Sequence, residues 1–343
     1  MIREAIAKLV AGESLDLEQA AQAMEEIMSG QATPAQFAAF VTALRLKGET
    51  VEEIAGLASV MRARATRVAT TAPVVDTCGT GGDRSGTFNI STAAAFVAAG
   101  AGAQVAKHGN RAMTSRCGSA DVLEALGVGL SLGPVEASRC LEEVGIAFLF
   151  APLYHPAMKH AAGPRREIGI RTVFNILGPL TNPAGARAQV LGVAEADLVE
   201  KLARALQRLG CEHALVVHGA DGLDEISLSA PTMVCEVRGG SLHAYQITPE
   251  DFGLPRAEPS ELAGGSAADN ASLVREVLDG QNGPRRRVVL LNAAAALVAA
   301  DLARDLAEGV DIAARSIDGG LARAKLDRLV RFTQEAAAAV GAA

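Results

Sequence analysis

A cluster of glycine, hydroxyl and acidic side chains follows the first strand that the sequence predicts, and its composition suits a bound phosphate. The loop contains Gly79, Gly81 and Gly82, and Asn89-Ile90-Ser91-Thr92 opens the helix behind it. Glycine lets the backbone approach a ligand closely, and free N–H groups at a helix N-terminus bind anions. The Gly-Lys-Ser/Thr ending of a P-loop and the spacing of a dinucleotide-binding loop are both missing, so the pattern predicts a different phosphate site.

A second polar stretch, residues 107–119, follows the predicted strand 104–106 and again leads into a helix. It supplies cations at Lys107 and Arg111 and an imidazole at His108. Because ligands bind at the carboxyl ends of the strands in open α/β sheets, both polar stretches are expected at one edge of the sheet. The alternative interpretation is an ordinary solvent-exposed loop.

Two adjacent acids, Asp224 and Glu225, follow a further predicted strand at residues 214–218. Such a pair is usually exposed surface, but Mg²⁺ binds carboxylates together with phosphate oxygens. Beside a phosphate site the pair is therefore a candidate metal site. His155 and Arg165 are weaker candidates, and Arg165 could bind a carboxylate through charge-assisted hydrogen bonds.

The elements that must position these residues fall into two parts. Residues 1–68 show helical periodicity, and residues 62–73 form a polar connector and a candidate hinge. From residue 74 onward strands alternate with helices, which predicts an α/β domain over residues 74–343 with a mostly parallel sheet. Later predicted elements include antiparallel strands within 226–247, a loop at 249–268, a strand at 288–291 and a C-terminal helix at about 317–339.

Composition limits the functional classes that this chain of 343 residues can belong to. A net charge of −7 and 3% aromatic residues argue against a nucleic-acid-binding surface. The five cysteines show no CxxC spacing, which indicates reduced thiols rather than disulfides or a zinc site. Neither a signal peptide nor a membrane span is predicted. We therefore expect a soluble cytoplasmic protein with no nucleic-acid or membrane partner.

Taken together, these residues resemble the anthranilate phosphoribosyltransferase family. The resemblance covers essentially the whole chain and is carried by Gly79-Thr80-Gly81-Gly82-Asp83, Asn89-Ile90-Ser91-Thr92, Lys107-His108-Gly109-Asn110-Arg111, Gly118-Ser119-Ala120-Asp121, Arg165, residues 174–183 and Asp221-Gly222-Leu223-Asp224-Glu225. It implies a nucleoside phosphorylase-like phosphoribosyltransferase fold. In that fold a small helical domain, residues 1–68 joined in space by helices from about 155–185, lies beside the α/β domain.

The resemblance also implies a reaction. The chain would transfer the phosphoribosyl group of phosphoribosyl pyrophosphate to the amino group of anthranilate, giving N-(5-phosphoribosyl)anthranilate and pyrophosphate. This is the second step of tryptophan biosynthesis from chorismate. A homodimer and two Mg²⁺ ions per subunit, bridged by Glu225, are implied as well.

The site residues follow from the same resemblance. Phosphoribosyl pyrophosphate would bind at Gly79, Gly82, Asp83, Thr87, Asn89, Ile90, Ser91, Thr92, Lys107, His108, Gly109, Asn110, Arg111, Ala112, Met113, Thr114, Ser115 and Ser119. Anthranilate would bind at Gly79, His108, Asn110, His155, Arg165 and Gly178, and Mg²⁺ at Ser91, Asp224 and Glu225. No residue is implied as a general acid or base, since the metal and Lys107 would stabilise the leaving group.

Two other functions are compatible with parts of this pattern. A nucleoside phosphorylase of the same fold would use inorganic phosphate and would not need the acids at 224 and 225. A non-catalytic phosphate- or nucleotide-binding regulator would bind ligand without forming product. The intact acids and the two loops favour the transferase.

Overall fold

The computed structural model describes residues 1–112 and 116–341. The chain begins with helices α1 (Ile2–Val10), α2 (Leu17–Met28), α3 (Pro34–Lys47) and α4 (Val51–Arg64). Side chains cap three of them: Asp16 caps α2, and the hydroxyls of Thr33 and Thr50 accept hydrogen bonds from the N–H groups three residues later, at 3.2 Å in each case. A Thr at this position satisfies one of the free N–H groups of the first turn. The helical prediction for the N-terminal part is confirmed.

Strands and helices alternate through the rest of the chain, as predicted. The elements are β1 (Val75–Gly79), α5 (Ile90–Gly100), β2 (Val105–Gly109), α6 (Ser119–Ala125), α7 (Pro134–Glu143), β3 (Ile146–Phe150), α8 (Ala151–Tyr154), α9 (Lys159–Ile168), α10 (Phe174–Leu177), β4 (Ala188–Gly192), α11 (Leu198–Arg208), β5 (His213–Gly219), β6 (Thr232–Arg238), β7 (Ser241–Ile247), α12 (Ala267–Leu278), α13 (Pro284–Ala299), α14 (Leu306–Asp318) and α15 (Leu321–Gly341). Short 3₁₀ turns lie at Pro156–Met158, Gly178–Leu180, Pro249–Phe252 and Pro259–Leu262.

The strands form one seven-stranded sheet in the order β3-β2-β1-β4-β5-β6-β7. Strands β1 to β5 pair in parallel, whereas β6 and β7 pair antiparallel at one side. The chain moves outward from β1 in one direction and then returns to place β4 on its other side. Between β1 and β4 the helical connections therefore diverge, and a crevice opens at the carboxyl ends of these two strands.

Alternate residues of the sheet face two separate hydrophobic clusters. On β5, Leu215 and Val217 pack into the cluster that contains α5 and α13, whereas Ala214 and Val216 pack into the cluster that contains α11. This alternation follows from the period of two of a β-strand. No helix in the described residues is long and apolar enough to cross a membrane.

The cluster containing α11 also holds the N-terminal helices. Phe37 and Phe40 of α3 share it with Phe174 and Leu177 of α10 and with Leu202 of α11. Helix α9 contacts α2 and α3. The N-terminal helices therefore bury their apolar faces against later segments of the chain, and the boundary predicted near residues 68–74 stays a prediction.

Three sequence predictions are corrected by the structure. The predicted strand at 288–291 is wrong, because these residues lie inside the 16-residue helix α13. Periodicity alone does not separate a short apolar strand from a buried helix, and here the helix is buried along its whole second half. The predicted C-terminal helix at about 317–339 is α15, but it begins later, at Leu321, because Gly319 and Gly320 separate it from α14. Finally, Lys107 and His108 belong to β2 and not to the following loop.

One half-buried cation connects the end of α4 with two later segments. The Arg62 side chain donates from Nε to the Leu180 carbonyl oxygen at 2.6 Å and from Nη1 to the Leu209 carbonyl oxygen at 2.9 Å. Leu209 follows the last residue of α11, where helical carbonyl groups lack partners and a cation is favourable. Arg62 thereby links the N-terminal helices to the segment after α10 and to α11.

We expect Arg62→Ala to lower the free energy of unfolding by about 1–3 kcal/mol, because it leaves two carbonyl groups without their charged donor. Arg208→Ala is the matched control, since its partner Glu52 lies 2.8 Å away but both side chains are exposed. Exposed ion pairs contribute about 0–1 kcal/mol. Denaturant unfolding of both variants tests this, and equal losses would contradict the bridging role.

Candidate active site

The polar residues singled out in the sequence collect at the crevice between β1 and β4. Gly79 ends β1, Gly192 ends β4, and the two residues are paired in register. Asp224 lies on top of both glycines: a Cβ at Gly79 would overlap the Asp224 carboxylate, and a Cβ at Gly192 would overlap its carbonyl oxygen. Because Gly79 and Gly192 have no side chains, the ends of β1 and β4 leave the space that Asp224 occupies.

Backbone N–H groups of the first loop hold the two acids. Gly81 donates to Oδ2 of Asp224 at 2.8 Å, and Ser91 donates to Oε1 of Glu225 at 3.1 Å. Ser91 lies in the first turn of α5, so Glu225 sits at a helix N-terminus, where a negative charge is favourable. The acidic pair and the glycine-rich loop are therefore one structural unit, although Gly81 and Asp224 are 143 positions apart in the sequence.

Asp224 and Glu225 lie close to each other and to Asp83, and the neighbouring donors offset their negative charge only in part. Burial raises the pKa of Asp224 well above its usual value, and the charges of Asp83 and Glu225 add to this shift. Burial also raises the pKa of Glu225 to about 7, while Lys107 and the N–H of Ser91 act in the opposite direction. A cation bound here would relieve the repulsion between these carboxylates.

The donor set suits a hard divalent cation completed by other oxygen ligands. In the described residues no group of three or more His, Cys, Asp and Glu side chains is arranged to hold a metal ion. The candidate metal ligands in the crevice are two carboxylates and the Ser91 hydroxyl. Mg²⁺ commonly binds one or two carboxylates together with water and substrate phosphate oxygens. These residues therefore fit Mg²⁺ that binds together with a phosphorylated substrate.

Lys107 is the buried cation nearest to this unit. It is 3% exposed, and its Nζ donates to the carbonyl oxygen of Thr77 and lies 3.3 Å from the Ser91 hydroxyl. Burial lowers the pKa of Lys107, and the charges of Asp76, Cys78 and Glu225 raise it. The Lys107 ammonium group therefore points from β2 across β1 toward the start of α5.

Two buried histidines lie side by side next to this group. The ring centroids of His108 and His155 are 5.1 Å apart, and Nε2 of each ring has no hydrogen-bond partner among the described residues. Burial lowers the pKa of His108 to about 3 and that of His155 to about 4. Backbone hydrogen bonds with Gly178 and Thr181 engage the two rings. Both imidazoles are therefore neutral at neutral pH, each with a buried Nε2 that lacks a partner in the described residues.

Arg165 of α9 is a half-buried cation on the other side of the crevice. Its guanidinium lies over the ring of Phe174, 5.2 Å from the ring centroid, and burial lowers its pKa. The next residue, Arg166, is exposed. A flat guanidinium held against an aromatic face is preorganised to bind a carboxylate with two hydrogen bonds.

The second polar loop is fastened to α6. Asp121 accepts hydrogen bonds from the N–H groups of Ala112 and Gly118, at 2.9 Å in each case. Arg111 forms ion pairs with Asp121 at 3.0 Å and with Glu124 at 2.8 Å. Its guanidinium is therefore engaged with acids of α6 in this structure. The predicted site residues Met113, Thr114 and Ser115 lie outside the described residues.

Other predicted residues differ in what they can contribute. Ile90 is 1% exposed and packs in the core, so only its backbone is available to a ligand. The hydroxyl of Thr92 is buried without a partner in the part of the chain that the structure describes. Asn110 is exposed just after β2, and its carbonyl oxygen accepts from the Ser119 hydroxyl at 3.3 Å.

Sequence reasoning missed several residues that position the site. Asn270 donates to Oδ1 of Asn89 at 2.9 Å and so orients the residue before α5. Buried Asp76 accepts hydrogen bonds from the N–H of His108 at 3.1 Å and from Asn182 at 2.7 Å. The sequence shows these only as single polar residues beside apolar runs. Gly192 gives no local signal either, since its role depends on Asp224, a residue far along the chain.

The guanidinium of Arg171 was also missed. It lies against Gly82, where any Cβ would overlap it. This contact places a cation from the segment between α9 and α10 on the glycine-rich loop. Because the end of an arginine side chain can move aside, the requirement for glycine at Gly82 comes from its φ of +82°.

Comparisons with known proteins agree with this architecture. A family model described as "Glycosyl transferase family, helical bundle domain" matches residues 3–65, and one described as "Glycosyl transferase family, a/b domain" matches residues 71–323. A protein of Pelotomaculum thermopropionicum named anthranilate phosphoribosyltransferase is 61% identical over 334 residues, which is 97% of each chain.

Solved structures of the same enzyme match along nearly the whole length. The anthranilate phosphoribosyltransferase of Thermus thermophilus is 47% identical with a TM-score of 0.91, covering 96% of this chain and 99% of that one. The Saccharomyces cerevisiae enzyme in complex with PRPP and Mg is 29% identical with a TM-score of 0.89, covering 97% and 98%. Another structure of the yeast enzyme contains 4-fluoroanthranilate, with 28% identity, a TM-score of 0.87 and the same coverage. The fold, the site and these relatives show that the chain belongs to the anthranilate phosphoribosyltransferase family.

Proposed function

We propose that this chain transfers the phosphoribosyl group of phosphoribosyl pyrophosphate to the amino group of anthranilate, in the second step of tryptophan biosynthesis from chorismate. The bond between C1 of the ribose and the pyrophosphate oxygen breaks, a bond from C1 to the amine nitrogen forms, and the amine loses one proton. The carrying observation is that N–H groups of the glycine-rich loop and of α5 hold Asp224 and Glu225 at 2.8 and 3.1 Å.

The donor substrate would lie on the loops after β1 and β2. The binding residues that we propose are Gly79, Gly82, Asp83, Thr87, Asn89, Ile90, Ser91, Thr92, Lys107, His108, Gly109, Asn110, Arg111, Ala112, Met113, Thr114, Ser115 and Ser119. The partnerless hydroxyl of Thr92 supports this placement, since it is a buried group that a phosphate oxygen can satisfy, and Lys107, which already contacts Thr77 and Ser91, adds a buried positive charge. The yeast relative that contains PRPP and Mg supports the identity of the donor.

Ser91, Asp224 and Glu225 would hold Mg²⁺, and we propose two ions per subunit. When bound, Mg²⁺ neutralises charge on the departing pyrophosphate. The residues of the chain then have separate tasks. The two carboxylates fix the cation against the loop, and the N–H groups that hold them keep both acids oriented. Lys107 adds a positive charge at the same end of the crevice.

Anthranilate would bind at Gly79, His108, Asn110, His155, Arg165 and Gly178. Arg165 suits the carboxylate of the substrate, and the neutral rings of His108 and His155 suit its amine. Because Nε2 of each ring lacks a partner and both rings are neutral at neutral pH, each ring accepts a hydrogen bond from an N–H donor when its own proton is on Nδ1. This arrangement orients the lone pair of the amine toward C1 of the ribose.

Rate acceleration would come mainly from positioning the two substrates and from stabilising the leaving group. No side chain is required to abstract a proton before the C–O bond breaks. The donor lies on the loops after β1 and β2, whereas His155, Arg165 and Gly178 reach the acceptor from the segment before β4, and closure of the crevice would bring the two substrates together.

The assembly and location are also proposals. We propose a homodimer formed through the N-terminal helices, where Val10 and Leu46 are 73% and 83% exposed. Large apolar side chains in such positions are candidates for an interface. The five cysteines are unpaired, which supports a reducing cytoplasmic location.

Anthranilate fluorescence gives a direct test of the reaction. We expect the signal to fall when the protein receives anthranilate, phosphoribosyl pyrophosphate and Mg²⁺ together, and to stay constant when any one is omitted. The same preparation should not release base from thymidine or uridine in phosphate buffer. Phosphorolysis without consumption of anthranilate would show a nucleoside phosphorylase instead.

The double variant Asp224→Asn, Glu225→Gln should lose Mg²⁺-dependent turnover and keep its fold, because neutral amides fill the same space and remove charges whose ionisation burial opposes. Steady-state assays across Mg²⁺ concentrations and circular dichroism measure both properties. The matched control is Glu250→Gln, Asp251→Asn, an adjacent acidic pair that is exposed. Wild-type turnover in the first variant would remove the metal assignment.

Arg165→Ala should raise KM for anthranilate by about ten- to a hundredfold, the equivalent of one lost charge-assisted hydrogen bond of about 1.5–3 kcal/mol. KM for phosphoribosyl pyrophosphate should change much less. Arg166→Ala, which removes the neighbouring exposed guanidinium, is the control and should behave as wild type. An equal rise in both KM values for Arg165→Ala would argue against a carboxylate contact.

A further inference from the structure

A single amide interrupts the buried part of α13. Every residue from Val288 to Ala299 is buried, and Asn292, 2% exposed, is the polar member of this run. Burying an amide in an apolar helix is unfavourable unless its hydrogen bonds are satisfied. The contacts that satisfy Asn292 therefore indicate why the amide is there.

Those contacts are directed at one residue outside the helix. Oδ1 of Asn292 accepts a hydrogen bond from the N–H of Ile226 at 2.9 Å, and Nδ2 donates to the carbonyl oxygen of Ile226 at 3.0 Å. The second hydrogen of Nδ2 goes to the carbonyl oxygen of Val288, at 2.9 Å. The side chain thus pairs with both backbone groups of Ile226, as a neighbouring strand would.

Ile226 directly follows Glu225, so this clamp fixes the segment just after the acidic pair. The segment is also fixed just before the pair, because Leu223 accepts a hydrogen bond from the N–H of Gly219 at 2.9 Å. Between these two points the carbonyl of Asp224 is pressed against Gly192. The backbone that carries the two carboxylates therefore has little freedom to turn, and the clamp at Ile226 sets its direction.

We propose that Asn292 is a positioning residue for the acidic pair, and that its clamp on Ile226 aims Asp224 and Glu225 at a divalent cation and the pyrophosphate it accompanies. This inference rests on the metal role in the proposed function. A purely structural Asn292 would stabilise the fold and leave cation affinity unchanged. The two roles predict different results in a binding measurement that involves no turnover.

The test uses Asn292→Leu, which has a similar volume and removes all three hydrogen bonds, and Ser316→Ala as the control. Ser316 is also a buried polar residue of a helix, and its hydroxyl donates to the carbonyl oxygen of Val97 at 2.8 Å, in the second half of α5. Calorimetry measures binding of Mn²⁺ with inorganic pyrophosphate, and steady-state assays give the Mg²⁺ concentration for half-maximal rate and KM for anthranilate.

We expect Asn292→Leu to weaken binding of Mn²⁺ with pyrophosphate by about ten- to a hundredfold, the range typical of residues that orient metal ligands. The Mg²⁺ requirement should rise in parallel, with KM for anthranilate within about twofold of wild type. Ser316→Ala should leave all three quantities unchanged. Wild-type binding by a folded Asn292→Leu protein would overturn the proposal.

Two further outcomes are decided in the same experiment. If Asn292→Leu does not fold, the smaller Asn292→Ser takes its place, and failure of both to fold would make Asn292 a structural residue and the proposal wrong. If the wild-type protein itself shows no Mg²⁺ dependence, the proposed metal role fails before any variant is compared.

Discussion

The interaction on which the site depends is the attachment of two half-buried carboxylates to backbone N–H groups of a loop far away in the sequence. Asp224 and Glu225 repel each other, and burial opposes their ionisation. Gly81, Ser91 and Lys107 offset this in part. The structure keeps the acids together at a cost in stability, which is a common condition of sites that bind a cation with an anionic substrate. The surrounding glycines and amide groups hold the two carboxylates in this arrangement.

The sheet explains how so many segments reach one crevice. Because β1 and β4 are neighbours while their connections leave in opposite directions, the loops after β1, β2 and β5 all end at the same edge. Small residues make room: Gly79 and Gly192, at the ends of β1 and β4, lie under Asp224, and Gly82 in the loop after β1 lies under Arg171. The segment between α9 and α10 closes the crevice from the side of the N-terminal helices, whose core extends through α10 to α11.

Much of this could be predicted from the sequence because it depends on local signals. Glycine-rich loops before helix starts, capping residues such as Thr33 and Thr50, and the alternation of strands and helices are all visible in short windows. The prediction failed at residues 288–291 because a buried apolar run carries no period that separates a strand from a helix. Gly192, Asn270 and Asn292 could not be identified, since the role of each is defined by a partner far away in the chain. Long-range contacts of this kind leave no pattern in a single sequence.

The ion pairs of Arg111 attach this residue of the second polar loop to α6 through contacts that are easily broken. Arg111 binds Asp121 and Glu124 at the protein surface, where salt bridges contribute little net stability. The Arg111 guanidinium can therefore leave these carboxylates for another anion without a large penalty. The same exposure makes these ion pairs sensitive to ionic strength, because dissolved salt screens surface charges within about 8–10 Å. The contacts of Arg111 with α6 thus weaken as salt is added, whereas the half-buried carboxylates at the crevice are screened less.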